Sequence, residues 1–122
     1  MTLAFRSKAL RLARRIIVAR ESMRRDPNRK PTHPGAFLRE IIVPGTGLSI
    51  GQAAQRLGVT RQTLHRILAE KSGITPGMAL RIGKFCGNGP TLWLRMQEAY
   101  DLWHAERELA DVIAKIQPAK AA

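Results

Sequence analysis

Between Leu48 and Leu68 the chain reads Leu-Ser-Ile-Gly-Gln-Ala-Ala-Gln-Arg-Leu-Gly-Val-Thr-Arg-Gln-Thr-Leu-His-Arg-Ile-Leu. This stretch admits few solutions other than a helix, a tight turn and a second helix. Ser49 is placed to cap the first helix, and Gln52, three residues on, completes a capping box. Ala53, Ala54 and Leu57 form its inner face, with the small Ala54 where the two axes cross. Gly58 stands at the turn, where a positive φ costs glycine least. Val59 fills the space beneath, and Thr60 caps the second helix. Leu64, Ile67 and Leu68 recur at helical spacing and point inward. Arg61, Gln62, His65 and Arg66 are left outward. Two guanidinium groups, an amide and an imidazole suit base edges and phosphates, and a helix pair of this shape fits a DNA major groove. The bland alternative is a helical hairpin with a solvated polar face. It does not account for the small crossing residue, turn glycine, caps and outward cations occurring together.

The charge balance bears on the same question. The formal net charge is +12, from 21 Lys and Arg against 9 Asp and Glu. Such a field favours nucleic acid or an anionic membrane surface. It is unevenly spread: residues 1–30 hold ten Lys/Arg and two acids, a net of +8, and residues 31–122 hold eleven and seven, a net of +4. Cys86 is the only cysteine, so no intramolecular disulfide can form, which suits a reducing compartment. Ile82 and Phe85 beside it suggest a small buried hydrophobe. No apolar run is long enough to span a bilayer, and Arg11, Arg14 and Arg15 interrupt any secretory h-region. A cytoplasmic protein is expected.

The rest of the chain reads as further helices, giving an all-α fold without central strands. Residues 3–24 have the pattern of a basic amphipathic helix, with Leu3, Leu10, Ala13, Ile16, Ile17 and Met23 on one face. Asp26-Pro27-Asn28-Arg29-Lys30-Pro31 breaks it. Thr32-His33-Pro34-Gly35 opens the compact domain, with proline tolerated in a first helical turn. Phe37, Leu38, Ile41 and Ile42 point inward, and this helix is expected to end before Pro44. Lys71-Ser72-Gly73 is expected to close the second helix of the motif. Thr75 caps a fourth helix, followed by Pro76, with Met78, Ala79, Ile82, Phe85 and Cys86 apolar, and Gly87-Asn88-Gly89 ends it. A last helix runs from Pro90 to about Ile116. Leu92, Met96, Ala99 and Trp103 mark its core stripe. Leu102, Leu109 and Ile116, spaced by seven, suggest an interhelical seam. Trp93 falls off that core stripe and Tyr100 borders it, so an exposed aromatic partner surface at Trp93 and Trp103 stands beside simple packing. Three units result: a basic extension and linker over 1–30, a helix-turn-helix domain over 31–104, and a helical extension and tail over 105–122.

Little points to catalysis, and no cofactor is expected. His33, His65 and His104 lie in three segments, and with one cysteine they make no convincing metal set. His33 reads as the residue that starts a helix, and His104 as a surface residue. Asp101, Glu106, Glu108 and Asp111 share one helix as its solvated face, with Arg107 and Lys115 nearby. Neither a nucleophile triad nor a phosphate loop after a strand is present in the spacing.

Several strings agree with one family. Pro31-Thr32-His33-Pro34-Gly35 with Leu38-Arg39-Glu40 resembles the start of HigA-type antitoxins. So do Gly47-Leu48-Ser49 and Leu57-Gly58-Val59-Thr60-Arg61-Gln62. More specific are Gly73-Ile74-Thr75-Pro76 with Ala79-Leu80-Arg81-Ile82, and Trp93-Leu94 leading to Gln97 and Tyr100-Asp101-Leu102-Trp103. The resemblance covers residues 31–104. It implies a five-helix repressor-like domain of the Cro/C1 type that binds a palindromic operator as a homodimer, represses its own operon and neutralises a RelE-like ribonuclease toxin. A stand-alone phage-type repressor without a toxin is the alternative, and a membrane-surface or RNA-associated protein a more distant one. By position, Thr60, Arg61, Gln62, His65 and Arg66 should face DNA, and Lys71 suits a phosphate. Where repressor-like domains often carry a phosphate-binding glutamine this chain has Ile50, so that contact is lost or passes to Gln52. The N-terminal extension is longer and more basic than is usual, and the last helix is longer. A RelE-like toxin is itself basic, so residues 1–30 suit DNA better than the toxin.

Overall fold

A computed structural model describes residues 28–119. The basic amphipathic helix expected over residues 3–24 lies outside them. Six α-helices follow one another, with no strand among the described residues. They are α1 (Pro34–Glu40), α2 (Ile50–Leu57), α3 (Arg61–Leu68), α4 (Pro76–Cys86), α5 (Thr91–Glu108) and α6 (Ala110–Ala114). The first five are the expected repressor-like set.

Local signals account for most of the helix ends. His33 caps α1: its Nδ1 accepts from the Gly35 amide at 2.9 Å, and Pro34 occupies the first turn. Ser49 accepts from Gln52 N at 3.1 Å while Gln52 Oε1 accepts from Ser49 N at 3.0 Å, the reciprocal capping box. Gly58 closes α2 at φ 73°. Thr60 caps α3 and Thr75 caps α4, each through its hydroxyl.

Three ends differ from the sequence expectation. The first helix does not stop before Pro44. It widens into a π-helical turn over Ile41–Thr46, with Pro44 inside it. A proline in an α-helix removes a hydrogen bond and clashes with the preceding turn; a wider turn relieves the clash. Thr46 closes it, donating from Oγ1 to Ile42 O at 2.5 Å and accepting from Leu48 N at 3.1 Å. The motif's second helix ends at Leu68 rather than at Lys71-Ser72-Gly73, because Glu70 takes a positive φ of 63°. The last helix breaks at Leu109, so α5 and α6 are separate segments where one continuous helix was expected.

One core unites α1 to α5. Phe37, Leu38, Ile41, Ile42, Leu64, Ile82 and Trp93 are fully buried within it, beside Ala53, Ala54, Leu57, Ile67, Leu68 and Cys86. Val59, Ile50 and Phe85 are partly buried against it. Trp93 corrects a further expectation. It is 0% exposed and tilts against Phe37 with ring centroids 5.1 Å apart. Its indole N–H donates to Asn88 Oδ1 at 3.1 Å, which satisfies the polar end of a buried indole. The core stripe of α5 is therefore Trp93, Met96 and Gln97, and Trp103 is only half-buried. Burial pushes the Cys86 thiol up to about 12, as befits a buried hydrophobe.

Close approach is most severe where α1 meets α3. A Cβ on Gly35 would stand 1.8 Å from the carbonyl oxygen of Ile67, so only glycine lets the first turn of α1 touch the last turn of α3.

Candidate nucleic-acid interface

α3 presents Arg61, Gln62, Thr63, His65 and Arg66 to solvent, while Leu64, Ile67 and Leu68 anchor it in the core. The outward face is mounted on fixed geometry at both ends. At the start, Thr60 Oγ1 accepts from Thr63 N at 3.1 Å and donates to Thr63 Oγ1 at 2.8 Å. The Thr60 hydroxyl is thus engaged as a cap, which fixes the first turn of the helix that carries Arg61 and Gln62. At the far end, Arg66 Nε donates to Ser72 Oγ at 3.1 Å, and the Lys71 and Ser72 amides both bond to the Arg66 carbonyl. This loop holds Lys71 exposed beside α3.

Gln52 and Ile50 divide the role that the sequence left open. Ile50 is half-buried and packs on the core, so it offers a phosphate nothing. Gln52 is exposed, and its Oε1 is taken by the capping box. Any donation from it to a phosphate falls to Nε2. Arg61 lies close by: a Cβ on Gly51 would stand 3.9 Å from Arg61 Cδ. The first turn of α2 and the first turn of α3 therefore border one surface.

Sequence reasoning missed Arg81. From α4, its Nη1 donates to Leu57 O at 2.9 Å and Gly58 O at 3.3 Å, gripping the turn between the two motif helices. A charged donor on two carbonyls of a tight turn fixes the relation of α2 to α3. Arg81 was legible only as part of a family string; the partner it grips lies more than twenty positions earlier in the chain. Thr63 was missed too, and the spacing of the outward residues could have found it. The histidines are likewise less scattered than expected. His33, Tyr100, His104 and Trp103 form a row, with ring centroids 4.8, 4.5 and 5.0 Å apart. His104 is half-buried in that row.

A capped, core-anchored helix whose outer face is cationic and amide-bearing, set on a glycine turn against a second helix, defines a Cro/C1-type helix-turn-helix protein. Residues 38–94 match the Helix-turn-helix family. The chain is similar to Virulence-associated protein I of Dichelobacter nodosus, 41% identical over 76 residues, which are 62% of this chain and 70% of that protein. Antitoxin GraA is 36% identical with a TM-score of 0.70, over 75% of this chain and 100% of its own. Pseudomonas aeruginosa antitoxin HigA, solved with the higBA promoter, is 30% identical with a TM-score of 0.68, over 74% and 99%. The chain belongs to the HigA-type antitoxin family of helix-turn-helix DNA-binding proteins.

Proposed function

We propose that this protein is a cytoplasmic, non-catalytic antitoxin that binds a palindromic operator as a homodimer, represses its own operon and neutralises a RelE-like ribonuclease. The carrying observation is the exposed face of α3, held at both ends by Thr60 and by the Arg66–Ser72 contact. Similarity to GraA, solved in complex with its operator, and to HigA, solved with the higBA promoter, supports the DNA partner. No helix of the described residues is long and apolar enough to cross a membrane.

In this reading α3 enters the major groove, one copy per half-site. Arg61, Gln62, His65 and Arg66 meet base edges and adjacent phosphates, and Gln52 and Lys71 hold the backbone on either side. The second copy joins through the exposed apolar side chains of α5, α6 and the residues that link and follow them: Leu102, Leu109, Val112, Ile113 and Ile116. A two-fold operator needs a two-fold protein. Toxin neutralisation is by direct contact and uses no catalytic group.

Anisotropy titration with the DNA upstream of the protein's own gene tests the reading. Arg61→Ala should weaken specific binding by about 1–3 kcal/mol and relax preference at one base pair, while Lys71→Ala weakens all sequences alike. Unchanged affinity in the Arg61/Arg66 double alanine variant would contradict the assignment. For the toxin, the product of the adjacent reading frame should co-purify with this chain and lose its ribonuclease activity. Operator binding without any such partner would leave the stand-alone repressor.

A further inference from the structure

Gln97 is a polar side chain where packing alone would place an apolar one. It lies one helical turn after Trp93 on the inner stripe of α5 and is 8% exposed. Burying a carboxamide is costly unless it is hydrogen-bonded, and here both of its ends are. Oε1 accepts from the Ile74 amide at 2.9 Å, and Nε2 donates to Asp101 Oδ1 at 2.9 Å. The two partners also fix which way round the carboxamide stands, since a backbone N–H needs an acceptor and a carboxylate needs a donor. We propose that Gln97 is a positioning residue for operator binding. It holds the loop after α3 so that Lys71 meets a phosphate, and it does not touch DNA itself. This rests on the operator-binding reading above.

The loop over 69–75 needs such a hold. It has no helical or strand structure, and Glu70 within it takes a φ of 63°. A non-glycine residue keeps that conformation only where its surroundings impose it. At its near end the loop is tied to α3. The Lys71 and Ser72 amides bond to Arg66 O at 2.9 and 3.3 Å, and Ser72 Oγ accepts from Arg66 Nε. At its far end Thr75 caps α4. What Gln97 adds is a tie between these two, from Ile74 to α5, which Trp93 roots in the core.

That tie is close. A Cβ on Gly73 would stand 3.1, 3.2 and 3.4 Å from Nε2, Cδ and Oε1 of Gln97, so the loop backbone lies against the carboxamide. Ile74 is buried, and without Gln97 its N–H would lose the acceptor that this structure gives it. Lys71 is exposed and is the loop's only Lys or Arg. Its place beside α3 therefore depends on a hydrogen bond made three residues further on, to a helix that never meets the groove.

The test is the salt dependence of operator affinity, measured by anisotropy on full-length proteins, with denaturant midpoints recorded beside it. Each neutralised phosphate contributes about 0.9 to the log–log slope, so one lysine per subunit is worth about 1.8 on a two-fold operator. Lys71→Ala should lower the slope by that amount. Gln97→Met keeps the net charge and much of the shape but makes neither bond, and it should lose most of the same slope. The two changes together should lose no more than Lys71→Ala alone. Gln97→Glu joined with Asp101→Asn reverses donor and acceptor between the two side chains, and keeps both the Ile74 acceptor and the net charge. It should keep the slope of the unmodified protein.

A packing role alone would lower the denaturant midpoint of Gln97→Met and leave its slope unchanged, and that result overturns the proposal. So does a double variant that loses more slope than Lys71→Ala, or a paired variant whose slope falls as far as that of Gln97→Met. If Gln97→Met does not fold, Asp101→Ala decides. Asp101 is exposed, and removing its charge would by itself steepen the slope. A shallower slope then supports the tie, and an equal or steeper one overturns it. Lys71→Ala with an unchanged slope, or no operator binding by the unmodified protein, overturns the reading on which Gln97's role rests. The normal loss in Lys71→Ala with none in Gln97→Met overturns the role of Gln97 alone.

Discussion

The motif helices α2 and α3 and the distal helix α6, which follows the long α5, solve the problem of a short helix in opposite ways. Each motif helix has eight residues, too short to hold alone. Each is fixed by a side-chain cap at its start, by apolar residues buried on its inner face, and by a partner gripping its end. Arg81 holds the turn after α2, and Ser72 holds Arg66 near the end of α3. α6 has only five residues, no side-chain cap and no buried side chain. Leu102 at 56% exposure and Ile116 at 61% show apolar surface with nothing over it in one subunit. The first region is complete within one chain, as a rigid reader of DNA must be. The second is completed by a second copy in the function proposed here.

The sharpest way to break that contrast is to spoil the first region's closest contact. Gly35→Ala drives a methyl group into the Ile67 carbonyl, which is backbone and cannot swing aside. Loss of about 3 kcal/mol in unfolding free energy is expected, read as a lower denaturant midpoint, and operator affinity should fall with it. A variant as stable as the parent would mean that α1 and α3 are less tightly apposed than described.

The second region should answer differently to insult. Leu109→Glu with Ile113→Glu places charge on side chains already exposed in one subunit. The subunit should keep its helical spectrum. Sedimentation at micromolar concentration should move from about twice 13.6 kDa to 13.6 kDa, and operator affinity should drop many-fold because two linked half-sites become two separate ones. A dimer that survives both glutamates puts the seam elsewhere.

The two regions also differed in how legible they were. Around α2 and α3 the caps at Ser49 and Thr60, the turn at Gly58 and the inner face were all readable, because each is a local matter of spacing within a few residues. The face of α5 was not. Whether Leu92 or Trp93 points inward depends on how that helix crosses α1, and Phe37 and Asn88 decide it through contacts that periodicity alone does not reveal. The end of α3 was misplaced because Glu70 takes the left-handed conformation that glycine usually supplies. Pro44 reads as a stop because a π-helical turn is too rare to expect from sequence. The outward residues of α3 were found by elimination from the buried ones. Arg81 escaped because its partners are remote in sequence.

His33 joins α1 to α5, and acid should loosen that joint. Its Nδ1 accepts the Gly35 amide to cap α1, and its ring meets Tyr100 of α5 edge-on. It is 3% exposed. Burial holds its pKa below 6.5, and the carboxylates of Glu70 and Asp101 only partly oppose that shift. Protonation would also place a hydrogen on the atom that accepts the cap. The folded chain therefore favours neutral imidazole, whereas the unfolded chain takes up a proton near pH 6.5. The unfolded state then binds more protons than the folded one, so stability rises with pH across this interval. His33's contribution is whole above about pH 6.5 and is lost as pH falls through the lower, folded-state value. Denaturant midpoints measured from neutral to mildly acid pH should show that decline. His33→Asn keeps a side-chain acceptor for the cap but has no proton to gain, and its profile should be flatter over the same interval. Parallel profiles for the two proteins would place the acid sensitivity in other groups and leave His33 a cap alone.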